Sequence, residues 1–168
     1  SEWGDYVYDE SGLNFAEGLP YTESHRHFSH LMAFHPLGLL DPSQGDSVRR
    51  ILQNSMETLE RIGPEWWCGY SYSWVGGMWA RMGDGERAAA ALRDFAQCFC
   101  LKNSFHANGD QSRSGKSNFT YRPFTLEGNM AFASSLQEML LQSHTGTVRI
   151  FPAIPPSWKD VSVSYTHL

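Results

Sequence analysis

Apolar residues recur three or four positions apart between Asp46 and Gly63, as they do along one face of an amphipathic helix. The residues of this apolar face are Val48, Ile51, Leu52, Met56, Leu59 and Ile62. The pattern predicts a helix over 46–62 that is capped by Asp46 and closed by Gly63.

Two further helices are predicted between residues 70 and 99. The first covers 70–81, and Asp84 caps the second. The apolar stripe of the second helix consists of Ala88, Leu92, Phe95 and Phe99. The adjacent glycines Gly76 and Gly77 each cost about 1 kcal/mol inside a helix. They therefore indicate either the close approach of another backbone or a break in the helix.

The rest of the chain alternates between irregular and regular patterns. Residues 1–24 are interrupted by glycine and proline, and 102–123 form a long polar loop of a kind that is often functional. A last helix is predicted over 129–142, followed by an extended segment at 147–154. Helices joined by short loops favour antiparallel pairs, as in a bundle or a toroid of helical hairpins. The final six residues, 163–168, fit no element, and we expect them to be truncated or non-native.

The composition limits the kinds of partner that the chain is expected to bind. The net charge is -5 and no basic stripe is present, so a nucleic-acid partner is disfavoured. The sequence has no run of about 18 apolar residues, so no membrane-spanning helix is predicted. Aromatic residues make up 14% of the chain, which fits a packed core or a pocket lined by rings. The cysteines, Cys68, Cys98 and Cys100, lack metal-binding spacing and are expected to be free or buried thiols.

The stretch HRHFSHLMAFHP, residues 25–36, is predicted to be a helix that runs to about His35 and stops at Pro36. Its histidines could form a metal site, belong to the helix packing, or line a pocket for a hydroxyl-rich ligand. A metal site is disfavoured because Arg26 cannot be a ligand and no glutamate lies between His27 and His30. We therefore expect no metal and no cofactor, and structural roles for His30 and His35.

Arg26 beside His27 is the part of this stretch that suits a ligand. Arginine presents five donors in a rigid fork and histidine adds a donor or an acceptor, a combination that fits vicinal hydroxyls. Trp74 and Trp79 lie five positions apart and so face different sides of a helix. One of them is expected in the core, and the other is a candidate for stacking on a sugar ring.

Glu127 marks the transition from loop to helix in the stretch YRPFTLEGNMAF, residues 121–132. The helix dipole favours an ionised carboxylate at this position, where it could act as a general base on water. The alternative is an ordinary residue of the first helical turn.

Four stretches resemble glycoside hydrolase family 95, the inverting α-L-fucosidases and α-L-galactosidases. They are EWGDYVYDE (2–10), HRHFSHLMAFHP (25–36), GYSYSWVGGMWARMGDGERA (69–88) and FTLEGNMAFASSLQEMLLQSHTGTVRIFPAIPPSW (124–158). The resemblance implies a mainly α fold, with 1–143 as the second half of an (α/α)6 barrel. Residues 144–168 would begin a C-terminal β domain.

The resemblance also implies roles for individual residues. Arg26 and His27 match the sugar-binding pair of the family. Glu127 stands where the family has the aspartate that helps to activate water, and Tyr121 stands where it has a sugar-binding histidine. These two departures leave the sugar open between L-fucose, L-galactose and related residues. No match is found for the general acid or for the water-holding asparagines, so the chain alone is predicted to be inactive.

The sequence thus predicts part of an inverting exo-glycoside hydrolase that acts on an oligosaccharide or polysaccharide. One alternative is a polysaccharide lyase in which Tyr121 and His27 serve as acid and base. The other is a relative that binds glycans without cleaving them. Protein partners and the cellular compartment are left open.

Overall fold

The computed structural model describes residues 5–162, which form four α-helices and two small antiparallel sheets. The helices are α1 (Asp46–Ile62), α2 (Gly69–Met82), α3 (Gly85–Cys98) and α4 (Leu126–Leu140). The strands are β1 (Tyr8–Asp9), β2 (Gly12–Leu13), β3 (Leu141–Gln142) and β4 (Arg149–Ile150), with β1 paired to β2 and β3 to β4. Single turns of 3-10 helix occur at Ser29–Leu31 and Pro42–Gln44.

The central helix is α2, which is buried along most of its length. Helix α4 packs beside it in the same direction. Contacts in order along both helices are Ser73 with Gly128, Gly77 with Ser135, and Arg81 with Glu138. The two helices therefore begin at the same end of the molecule.

Helix α3 packs on α2 in the opposite direction and explains one of the two glycines. A Cβ at Gly76 would lie 2.8 Å from Cδ2 of Leu92 and 3.5 Å from the backbone oxygen of Ala88 on α3. A Cβ at Gly77 would lie 2.7 Å from side-chain atoms of both His35 and Ser135. Since α2 runs unbroken through both positions, close packing and not a helix break is the reason for the pair.

Two parallel neighbours with an antiparallel helix beside them are the arrangement of a helical toroid. The fold class predicted from the sequence, mainly α with part of an (α/α)6 barrel, is confirmed. Residues 147–154 contain a shorter strand than predicted, β4, which ends before Phe151 because that residue has a positive φ of 54°. The division of the chain at 143/144 stays a prediction.

The predicted helix over residues 25–35 is wrong, since only Ser29–Leu31 forms a 3-10 turn. Backbone groups that would pair within a helix bind side chains instead. The Tyr21 hydroxyl donates to His25 O at 3.3 Å, and the Ser71 hydroxyl donates to Arg26 O at 2.7 Å. These local and tertiary partners outcompete the helix, and Pro36 disfavours helical backbone at the residue before it.

The other boundaries follow the predictions closely. Asp84 caps α3 by accepting from Arg87 N at 2.9 Å, as predicted. Asp46 is the first residue of α1 and Gly45 is its N-cap, so the prediction that Asp46 caps this helix is wrong. Helix α4 begins at Leu126, three residues earlier than predicted, which places Glu127 in its first turn.

The three cysteines are free, and Cys68 and Cys98 are buried. Over residues 5–162, no helix combines the length and hydropathy needed to cross a membrane. Within the same range, no three His, Cys, Asp or Glu side chains come together in a group that could hold a metal ion. The segment 163–168, for which a non-native origin was expected, lies outside the described residues.

Candidate functional site

The N-terminal ends of α2 and α4 lie side by side, and two irregular segments cover them. Ser71 in the first turn of α2 donates from its hydroxyl to the backbone oxygen of Arg26 at 2.7 Å. Gly69 N donates to the backbone oxygen of Asn108 at 3.1 Å. The first turn of α2 therefore holds both the 25–28 segment and the loop that precedes α4.

Phe119 connects Arg26 with Tyr121. The Arg26 guanidinium lies over the Phe119 ring, 5.9 Å from its centroid. The Tyr121 ring meets Phe119 edge-on at 5.4 Å, and Trp66 meets it at the same centroid distance. Two of the residues singled out from the sequence are thus brought to one surface, through an aromatic ring that the sequence did not indicate.

Tyr121 presents its hydroxyl to solvent, with 44% of the residue exposed. The side-chain amide of Asn108 donates to this hydroxyl at 2.8 Å. Because the oxygen accepts from Asn108, the hydroxyl proton is free to be donated to a ligand. A phenol fixed by one hydrogen bond and exposed on one side is suited to recognise a sugar hydroxyl.

Glu127 lies exposed in the first turn of α4, where the partial positive charge of the helix end favours a carboxylate. Within residues 5–162 its carboxylate has no protein hydrogen-bond or ion-pair partner. Tyr70 of α2 is close enough to sense its charge. Burial raises the pKa of the Tyr70 hydroxyl, and the charge of Glu127 raises it further. The carboxylate is therefore available to a water molecule or a ligand.

His106 lies under this end of both helices and was not singled out from the sequence. Its side chain is fully buried, and Nδ1 is 2.7 Å from the backbone oxygen of Thr125. Burial lowers the pKa of His106, although the Thr125 hydrogen bond and the charge of Glu127 act in the opposite direction. The apolar neighbours of His106 in the polar loop, Phe105 and Ala107, are the one local signal that could have indicated its burial.

The remaining histidines divide into exposed and packed residues. His27 is exposed at the surface, and its pKa is lowered by partial burial and then by the charges of Arg26 and His25. His30 stacks on Tyr21 at 5.3 Å, and burial lowers its pKa to about 4. His35 is buried against α2, where burial and then Arg81 lower its pKa to about 4. Both packed histidines are held in the neutral form.

Trp74 and Trp79 lie in different surroundings, as their spacing implies. Trp79 is 2% exposed and lies beneath the guanidinium of Arg87, 4.4 Å from the ring centroid. Trp79 is therefore the member of the pair that lies in the core, and its candidacy as a substrate-binding residue is wrong. Trp74 is partly exposed in a cleft of about 100 Å³ that Tyr70 also lines, and its Nε1 donates to His35 O at 2.8 Å. Trp74 is the member of the pair that can reach a ligand.

The parallel helices α2 and α4 thus present a carboxylate, an arginine and aromatic side chains at one end of a helical toroid. Residues 15–140 match the glycosyl hydrolase family 95 catalytic domain, and the chain belongs to that family. The chain is also similar to alpha-L-fucosidase 2 of Arabidopsis thaliana, with 28% identity over 149 residues. This similarity covers 88% of the chain and 17% of the plant protein, so the chain spans a small part of that relative's length.

Proposed function

We propose that this chain supplies the water-activating half of an inverting exo-glycoside hydrolase that removes α-L-fucosyl or related α-L-galactosyl residues from glycans. Glu127 is the general base, and Arg26 and His27 bind the sugar at the non-reducing end. Tyr121 tunes the choice of sugar, and Trp74 borders the pocket. Family membership and the similarity to a plant alpha-L-fucosidase support the reaction class and the sugar.

The observation that carries the proposal is the unpaired Glu127 carboxylate at the shared end of α2 and α4. A base must be ionised to accept a proton, and the first turn of a helix favours that form. It must also lie within hydrogen-bond reach of the water that it activates. The exposed Glu127 side chain is open to such a water, because no protein group within residues 5–162 occupies its oxygens.

In the proposed reaction, Glu127 takes a proton from water as the water oxygen attacks the anomeric carbon. The leaving oxygen departs on the opposite face and receives a proton from a second carboxyl group. In inverting enzymes the two carboxyl groups stand roughly 6.5–9.5 Å apart, which leaves room for the water. We expect the second carboxyl group to come from another part of the natural protein.

Arg26 and Tyr121 give the sugar pocket two complementary donors. The guanidinium presents several N–H groups in one plane, and the phenol next to the same Phe119 ring supplies one O–H. Trp74 adds an aromatic face for the apolar C–H side of a pyranose. Such a set of donors and one ring suits a small sugar more than a long apolar ligand.

The experiment compares the natural full-length protein with its Glu127→Gln variant on aryl α-L-fucosides and α-L-galactosides. Proton NMR of the newly released sugar reports its anomeric configuration. Release with inversion should occur in the wild type and fall by roughly 10²–10⁴-fold in the variant, as expected for loss of a general base.

Glu86→Gln is the matched control. Glu86 is also exposed in the first turn of a helix, but α3 runs antiparallel to α2, so it lies at the opposite end. This variant should keep wild-type activity. Retained activity in Glu127→Gln would remove Glu127 from the mechanism. Vinyl proton signals of an unsaturated sugar in the NMR spectrum would indicate a lyase, and glycan binding without any release would indicate a non-catalytic protein.

A further inference from the structure

The ring of His106 lies between α2 and α4 at their N-terminal ends, against Gly69 and Gly128. A Cβ at Gly69 or at Gly128 would stand 2.2 Å from an atom of this ring. Phe95 of α3 closes the third side, with its ring centroid 5.1 Å away. The ring therefore touches three helices, and both glycines are required by its presence.

Hydrogen bonds from His106 reach both sides of Glu127. Its Nδ1 lies 2.7 Å from the backbone oxygen of Thr125, two residues before Glu127. Its backbone N donates to Asn129 Oδ1 at 2.9 Å, two residues after Glu127. The amide of Asn129 in turn donates to the backbone oxygen of Ser104 at 2.9 Å. The first turn of α4 is thus fastened to the loop at positions that bracket the carboxylate.

The hydrogen-bonding partners decide the tautomer of the ring. A backbone carbonyl only accepts, so Nδ1 of His106 carries the proton that is donated to Thr125. The Thr125 hydroxyl lies 2.7 Å from the same nitrogen and shares this proton. Nε2 is buried without a protein partner and carries a lone pair in the neutral ring.

We propose that His106 is a positioning residue, which fixes the first turn of α4 through Thr125 and Gly128 and so aims the Glu127 carboxylate at the attacking water. The inference rests on the proposed role of Glu127 as base. Burial lowers the pKa of His106 and so favours the neutral ring, which acts through its hydrogen bond and its volume. His106 itself touches neither water nor sugar.

The experiment measures kcat and KM for two His106 variants in the natural full-length protein. His106→Leu fills the space without a donor, and His106→Asn can place an N–H where Nδ1 stands. A misplacement of about 1 Å can cost about 100-fold, so we expect kcat of His106→Leu to fall by about that factor. KM should change by less than about threefold, because sugar binding is unaffected. The kcat of His106→Asn should be at least about tenfold higher than that of His106→Leu, since asparagine restores the hydrogen bond to Thr125.

Met139→Ala is the control for loss of packing alone. Met139 is fully buried on the same helix, three turns from Glu127. This variant should lower the Tm while leaving kcat unchanged at a temperature where the protein stays folded. Equal losses of kcat in Met139→Ala and His106→Leu, or an unchanged kcat in a folded His106→Leu, would overturn the proposal.

Two further measurements keep this test separate from that of the function. If Glu127→Gln stays active, the proposed function is wrong. If Glu127→Gln loses activity but His106→Leu keeps it, the proposed function stands and only the role of His106 is wrong. Nitrogen-15 NMR of labelled histidine in the wild type needs no variant and covers the case in which His106→Leu does not fold. It should detect a neutral His106 ring protonated on Nδ1, and a ring protonated on Nε2 would contradict the proposal.

Discussion

The guanidinium of Arg81 on α2 donates two hydrogen bonds to the carboxylate of Glu138 on α4. They run from Nε to Oε2 at 3.2 Å and from Nη2 to Oε1 at 2.9 Å. Both side chains are largely buried, with 5% and 17% of their surface exposed. Removing one partner of a buried pair leaves an uncompensated charge, so Glu138→Gln should cost roughly 3–5 kcal/mol. Thermal unfolding of the full-length protein measures the loss.

The exposed pair of Arg87 and Glu60, 3.8 Å apart, provides the comparison for that measurement. Surface pairs contribute about 0–1 kcal/mol, so Glu60→Gln should barely change the Tm. Equal effects of Glu138→Gln and Glu60→Gln would mean that the Arg81–Glu138 pair does not hold α2 and α4 together.

Asp41 should make stability depend on pH in acid. Burial alone would raise the pKa of its carboxyl group, but hydrogen bonds from Ser43, His144 and Arg149 outweigh burial and hold the pKa well below its ordinary value of 3.8. A lowered pKa means that the stabilisation is complete above that ordinary value and is lost as the pH falls below it. The Tm difference between wild type and Asp41→Asn should therefore be large at pH 7 and shrink at pH 3. A difference that is constant with pH would show that the Asp41 charge is not involved.

Gly128→Ala should destabilise the protein only while the His106 ring is present. Alanine normally favours a helix by up to about 1 kcal/mol over glycine, but here its Cβ would collide with the ring at 2.2 Å. Overpacking of this kind costs roughly 1–3 kcal/mol. In a double-mutant cycle with His106→Ala, the cost should disappear when both changes are combined. Additive effects would show that the ring does not require this glycine.

Tyr121→Phe tests whether the phenol takes part in choosing the sugar. The hydroxyl accepts from Asn108 and has a proton to donate, so its removal should leave a sugar hydroxyl unpaired. The loss of one hydrogen bond from a bound sugar should lower kcat/KM by about tenfold. The ratio of fucoside to galactoside turnover should change as well. An unchanged ratio in a folded variant would remove Tyr121 from specificity.

Trp79→Ala and Trp74→Ala should separate the core tryptophan from the surface one. Trp79 is 2% exposed, and truncation of a buried aromatic residue costs roughly 3–5 kcal/mol. Trp74→Ala should cost less and should instead raise KM for the glycoside. Denaturant unfolding and steady-state kinetics measure the two effects, and a reversed order would contradict the assignment of Trp74 to the pocket.

Local pattern was enough to predict α1 and α3, because their apolar faces repeat at the helical period and Gly63 and Asp84 mark their ends. Helix α2 was also predicted, although it is buried on most sides, and Gly83 marks its end. Local pattern failed for residues 25–35, where the backbone binds the side chains of Tyr21 and Ser71. Side-chain partners of this kind leave no periodic signal, and they overrode the local preference for a helix.

The candidate site was predictable only in part, for the same reason. Arg26, Tyr121 and Glu127 could be indicated by residue type and position, because arginine forks, phenols and helix-end carboxylates have chemistry of their own. The burial of His106 and the contact of Phe119 with Arg26 arise from three-dimensional packing. The sequence alone does not reveal that Gly69 and Gly128 make room for the ring of His106.

Because α2 and α4 pack in parallel, mutations of the ion pairs and mutations of the candidate site fall at opposite ends of the same two helices. The ion pairs of Arg81 and Asp41 lie toward the C-terminal ends, whereas Arg26, Tyr121 and Glu127 surround the N-terminal ends. A helix of this length spans about 20 Å, and changes more than about 10 Å apart are usually additive in energy. Under the proposed function, preference for a new sugar can therefore evolve, or be selected in a library, at the N-terminal ends without weakening the ion pairs at the C-terminal ends.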